Sequence, residues 1–138
     1  MKVFFDTNVY VAEAVLGDAA ERMVEATSKA SWYIFTSVHV LDEVERVMVD
    51  RLDCSRRFAV LTRRRVARRA KLVTPPLSRH QVPDDPDDNP VLQAALSASV
   101  DYLVTNDTDL LSLSPYEGLR ILSMSEYFKL LQEHGLLR

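Results

Sequence analysis

A chain of 138 residues with 47% apolar side chains suits one folded domain, residues 1–138, with its own core rather than a disordered polymer. The opening run Val3-Phe4-Phe5 stops at Asp6, too short for a signal-peptide core, and no stretch nears the roughly 18 apolar residues of a membrane span. A cytoplasmic location without a membrane partner is expected. The lone Cys54 excludes an internal disulfide or a thiolate metal cluster, and the net charge of −3 conceals a +8 block at residues 51–71 against −11 elsewhere.

In chain order, KVFF (2–5) is a short apolar strand, and TNVYVAEAVL (7–16) then takes up helical spacing. GDAAERMVEATSKA (17–30) is a second helix with Asp18 as its expected N-cap. WYIF (32–35), aromatic and β-branched, is expected to be a buried strand. Ser37 is placed to cap a helix over 38–52, whose core face is Val40, Leu41, Val44, Val47 and Met48. An arginine-rich helix over 55–70 leads into a strand at KLV (71–73).

The acidic loop PDDPDDNP (83–90) precedes VLQAALSASV (91–100), an uncharged, buried helix capped by Asp88 or Asn89 with Pro90 in its first turn. DYLVT (101–105) is a strand, NDTDLLSL (106–113) turns into a short helix, and RILS (120–123) is the last strand. SEYFKLLQEHG (125–135) closes the chain as an amphipathic helix with Gly135 near its C-cap. Strands separated by helices predict a parallel sheet covered on both faces, a three-layer α/β/α sandwich.

Ligands of such sheets gather outside the carboxyl ends of the strands. Asp6 ends KVFF there; Asp107 follows YLVT by two residues, and Asp109 lies two further on. A helix N-cap is the competing role for Asp6 and Asp109. Glu43 borders the apolar face of its helix, unlike Asp42 and Glu45. Converging carboxylates repel unless a cation lies between them, and hard oxygen donors without a histidine or thiolate cluster point to Mg²⁺ or Mn²⁺. His39, His80 and His134 sit at no ligand-like spacing and read as structural or exposed. Acids holding a divalent ion near a basic block suit phosphoryl chemistry on nucleic acid, with Arg56, Arg57, Arg63, Arg64 and Arg68 as candidates to grip an RNA backbone. A solvated helix face is the alternative for those arginines.

VFFDTN, TSVHVLDE, DDNPVLQAA and DYLVTNDTDLL, in this order and spacing, resemble a PIN-domain protein and more narrowly a VapC-type toxin ribonuclease of a toxin–antitoxin pair. The resemblance implies a metal-dependent endoribonuclease acting on RNA, inhibited by a cognate antitoxin and assembled as a homodimer. It implies a catalytic and metal-binding set of Asp6, Glu43, Asp88 and Asp107, with Asp109 as an accessory acid. Asn8, Ser37 and Thr105 match positions that steady these acids by hydrogen bonding. Two other readings are weighed: a PIN fold kept as a non-catalytic binding module, and a haloacid-dehalogenase-like phosphatase. The latter needs an acid where Asn8 stands and a lysine that the stretch between Lys71 and Lys129 lacks.

Overall fold

The computed structural model describes residues 1–75 and 89–138. Its elements alternate as the sequence predicts: β1 (Lys2–Phe5), α1 (Thr7–Val15), α2 (Asp18–Lys29), β2 (Tyr33–Thr36), α3 (Val38–Asp50), α4 (Arg56–Arg69), β3 (Lys71–Leu72), α5 (Pro90–Ser97), β4 (Tyr102–Val104), α6 (Thr108–Leu111), β5 (Arg120–Leu122) and α7 (Met124–Glu133). The five strands form one all-parallel sheet in the order β3-β2-β1-β4-β5, and the protein is a three-layer α/β/α sandwich.

Hydropathy sets that order. Val3, Phe4 and Phe5 of β1 are fully buried and β4 is buried throughout, which suits strands paired on both sides and covered on both faces. The outermost strand β3 is two exposed residues, short enough to offer little template for a foreign strand. In the core, the Phe5 ring meets Tyr10 of α1 and Tyr127 of α7 edge-on, with centroids 5.8 and 5.6 Å away. Each such pair contributes about 0.5–1.5 kcal/mol beyond its area burial. The buried Tyr127 hydroxyl lies 2.6 Å from Thr27 Oγ1, so α7 is also tied to α2 by a satisfied polar contact.

Two local readings are corrected. Asp18 does not cap α2: Gly17 holds the cap position at φ +70°, a conformation that favours glycine, and among the described residues no side chain caps the helix. β2 begins one residue later than expected, and its Tyr33 is exposed, because it lies next to the short edge strand. Ser37 and Ser55 cap α3 and α4 through Val40 N (3.2 Å) and Phe58 N (3.1 Å). At α5 the choice falls to Asn89, whose Oδ1 accepts from Val91 N and Leu92 N (2.9 and 3.2 Å), with Pro90 in the first turn.

Candidate functional site

From β1 the chain moves outward to β2 and β3, then crosses back to β4 and β5, so the direction of winding switches between β1 and β4. Side chains that follow these two strands point into the crevice such a switch opens. Phe5 pairs with Val104, and the Asp6 amide extends the ladder by donating to Val104 O at 2.9 Å. The next residues in register are therefore Asp6 and Thr105. Their side chains meet: the Thr105 hydroxyl donates to Asp6 Oδ2 at 2.7 Å, across 99 residues of sequence.

The loop after β4 is fixed from several sides. The Asp107 amide donates to Thr105 Oγ1 (3.0 Å), so this hydroxyl both donates to one acid and accepts from the backbone of the other. Asn8 Oδ1 accepts from Asn106 N at 3.3 Å, and Asn106 Oδ1 accepts from Met124 N at 3.3 Å. Asp107 caps α6 by accepting from Asp109 N (2.8 Å) and Leu110 N (3.4 Å). Asp6 likewise caps α1, accepting from Thr7 N at 2.7 Å. Cap and candidate ligand are thus the same residue for both Asp6 and Asp107, whereas the cap role weighed for Asp109 belongs to Asp107.

Asp6 is 7% exposed. Burial pushes its carboxyl above the ordinary range, against the hydrogen bonds from Thr105 and Thr7; nearby Asp107 adds to the rise and His39 opposes it. Asp6 forms no ion pair among the described residues.

Asp6, Asn8, Glu43 and Asp107 line one cleft of about 770 Å³ between α1, α3 and the start of α5. Glu43 is half-buried and forms an ion pair with Arg46, one turn further along α3. The far half of the cleft is apolar, with Val11, Val15 and Leu16 facing Val47, and it ends at Arg51 and Leu52. His39, read from the sequence as structural or exposed, is exposed and lines the cleft one turn before Glu43; that i, i+4 spacing on α3 was the available signal.

The remaining candidates separate. Thr105 and Asn8 hold the acid loop; Ser37 caps α3, with no bond to an acid among the described residues. Asp109 is exposed on α6 and does not line the cleft. Asp88 lies outside the described residues, as does His80. Among the described residues no three histidine, cysteine or acidic side chains form a metal-binding group. No helix among them is long and apolar enough to cross a membrane.

The arginine-rich segment also divides. Arg56 pairs with Glu45 (3.4 Å), Arg63 with Asp42 (2.5 Å), and Arg65 and Arg69 with the buried Glu13 of α1 (3.5 and 2.7 Å). Two of the five arginines proposed to grip RNA, Arg56 and Arg63, thus face acids of α3. Arg57, Arg64 and Arg68 have no ion-pair partner among the described residues and are exposed.

A parallel α/β sheet with a buried carboxylate at its switch point defines a class of protein that works on a ligand held outside the strand ends. A family model described as PIN domain matches residues 2–109, and the chain belongs to the PIN-domain family. PIN domains are in general nucleases that use divalent metals, so this is a nuclease-type fold. Searches of curated proteins and of solved structures gave no match.

Proposed function

We propose that the protein is a metal-dependent endoribonuclease, the toxin component of a toxin–antitoxin pair, and that the cleft at the β1/β4 switch point is its active site. One observation carries the reading: Asp6 is a buried carboxylate bridged through Thr105 to the backbone of Asp107, and both acids share a cleft with Glu43. The donor chemistry fits a hard divalent cation, because the donors are carboxylate oxygens and the desolvated Asp6 carboxyl forms no ion pair among the described residues. Asp6 and Asp107 would hold the ion, with Asp88 completing the set. Mg²⁺ or Mn²⁺ bound there would supply polarisation of a phosphodiester and acidification of water.

The chain's own residues do the rest. Thr105 favours the ionised form of Asp6 against the pull of burial and aims it by hydrogen bonding. Asn8 holds the backbone of the acid loop beside α1. Glu43, which lines the same cleft from α3, would orient the attacking water once its carboxylate turns from Arg46. Hydrolysis then leaves 5′-phosphate and 3′-hydroxyl ends. The VapC-like order of the four motifs extends the proposal to a cognate antitoxin and a homodimer.

Incubation of RNA with the purified protein and Mn²⁺ tests the reading. Cleavage should vanish with EDTA and in Asp6→Asn. Asp88→Asn should abolish it while Asp84→Asn does little. EDTA-resistant cleavage or cyclic-phosphate ends would sink the proposal. The Glu43–Arg46 pair favours a second reading, a PIN fold retained for binding alone. Calorimetry separates the two, since Mn²⁺ binding that is indifferent to Asp6→Asn and Asp107→Asn supports the binding module.

A further inference from the structure

We propose that Arg57, Arg64 and Arg68 of α4 form a stripe that grips the backbone of single-stranded RNA where it leaves the cleft at Arg51. The choice of RNA rests on the ribonuclease reading above; the existence of an anion-binding stripe does not.

Helix geometry places Arg57, Leu61, Arg64 and Arg68 within about 60° of one another around α4, along about 16 Å of its length. This sector is distinct from the one that carries the engaged arginines. Arg63 turns toward Asp42 of α3, and Arg69 toward Glu13 of α1 at 2.7 and 2.8 Å. The acids of α1 and α3 therefore neutralise one side of the helix, and no acid among the described residues meets the other. Three like charges in one row repel each other in the free protein, and a row of negative charges is the surface that relieves them.

Two further observations select nucleic acid over an acidic protein. Leu61, 48% exposed, lies within the stripe and Phe58, 41% exposed, flanks it, and cations beside apolar and aromatic surface suit a polymer that presents both phosphates and base faces. The stripe also starts close in sequence to the far end of the cleft. Arg51 and Leu52 line its far end, Ser55 caps α4, and Arg57 stands in the first turn that follows. Val47 and Arg51 follow the acids along the cleft, and the chain then runs from Arg51 past the exposed Asp53 to Arg57.

The test is the salt dependence of RNA binding. Fluorescence anisotropy of a labelled single-stranded RNA is followed against salt, with the 138-residue chain carrying Asp6→Asn in EDTA so that no cleavage intervenes. Each phosphate contact on a single strand contributes about 0.7 to the slope of log K against log[salt]. Combined Arg57→Ser, Arg64→Ser and Arg68→Ser should lower that slope by about 2, the corresponding lysine variant should keep it, and Arg56→Ser with Arg63→Ser should change it less. Arg64→Gln alone, an exposed single change, should lower the slope by about 0.7 and keeps the test readable should the triple serine variant not fold. An unchanged slope in Arg64→Gln overturns the proposal. So does loss of polyglutamate binding with RNA binding intact, which assigns the stripe to an acidic protein. A lowered slope in a protein whose wild-type form cleaves no RNA with Mn²⁺ leaves the stripe standing and removes the ribonuclease reading.

Discussion

Asp6 concentrates the chemistry of this protein in one side chain. It caps α1, receives the Thr105 hydroxyl, and lies within the field of Asp107 while 7% exposed. Its carboxyl therefore titrates above the ordinary aspartate range, with desolvation as the largest cause. The folded state then binds more protons than the unfolded state between the two titration points, so this group makes stability fall as pH rises through that window. In metal-free protein, Asp6→Asn should raise the thermal midpoint at neutral pH, and the gain should disappear below about pH 4, where both forms are neutral. A melting series across pH in EDTA checks this; a lower midpoint at pH 7 would mean the hydrogen bonds outweigh the desolvation. Thr105→Val removes the hydroxyl that joins the two acids. It should weaken Mn²⁺ binding or cleavage about 10–100-fold, as loss of an outer hydrogen-bonding partner does, while circular dichroism stays native.

At the scale of elements, the walls of the cleft are braced away from it. α3 and α4 pack together, and Glu13 of α1, its side chain 3% exposed, takes Arg69 of α4 in a bidentate pair. The Tyr10 hydroxyl and Arg69 Nε are buried without a hydrogen-bond partner among the described residues, and burial pushes the Tyr10 phenol up. Glu13→Gln leaves a guanidinium without its counter-charge and should cost about 3–5 kcal/mol in urea unfolding. Glu13→Leu with Arg69→Met should recover most of that, because an apolar pair does not need desolvated charges. A double variant no better than Glu13→Gln would show that the pair contributes net stability. Element boundaries were legible where a cap has a side-chain mechanism: Ser37 was read correctly because its hydroxyl has an amide to accept from. α2 was misread at Asp18, since a glycine in a left-handed conformation leaves no side-chain signal.

For the whole molecule, the sheet order decides what the acids can do together. Asp6 and Thr105 lie 99 residues apart in sequence, yet the pairing of β1 with β4 brings them into contact. A cation between those strand ends binds only the folded chain. Mn²⁺ at 100 times its dissociation constant should stabilise the protein by about 2.7 kcal/mol, read as a rise of several degrees in the thermal midpoint, and Asp6→Asn should abolish the rise. An equal rise in both proteins would place the ion elsewhere.

The sequence by itself determined the alternation of strands and helices, the parallel sheet, and the placing of Asp6 and Asp107 at strand ends, because periodicity and the sudden end of an apolar run are local properties. It marked Glu43 as bordering a buried face, since helical spacing is local too. Tertiary structure alone decided that Thr105 bonds Asp6, that His39 and Arg51 line the same cleft, and that Arg56 and Arg63 face acids while Arg57, Arg64 and Arg68 do not. These facts depend on strand register and on which side of one helix meets another. Seven arginines in α4 read alike in a one-dimensional string; packing α4 against α1 and α3 separates those that hold the fold together from those left facing outward.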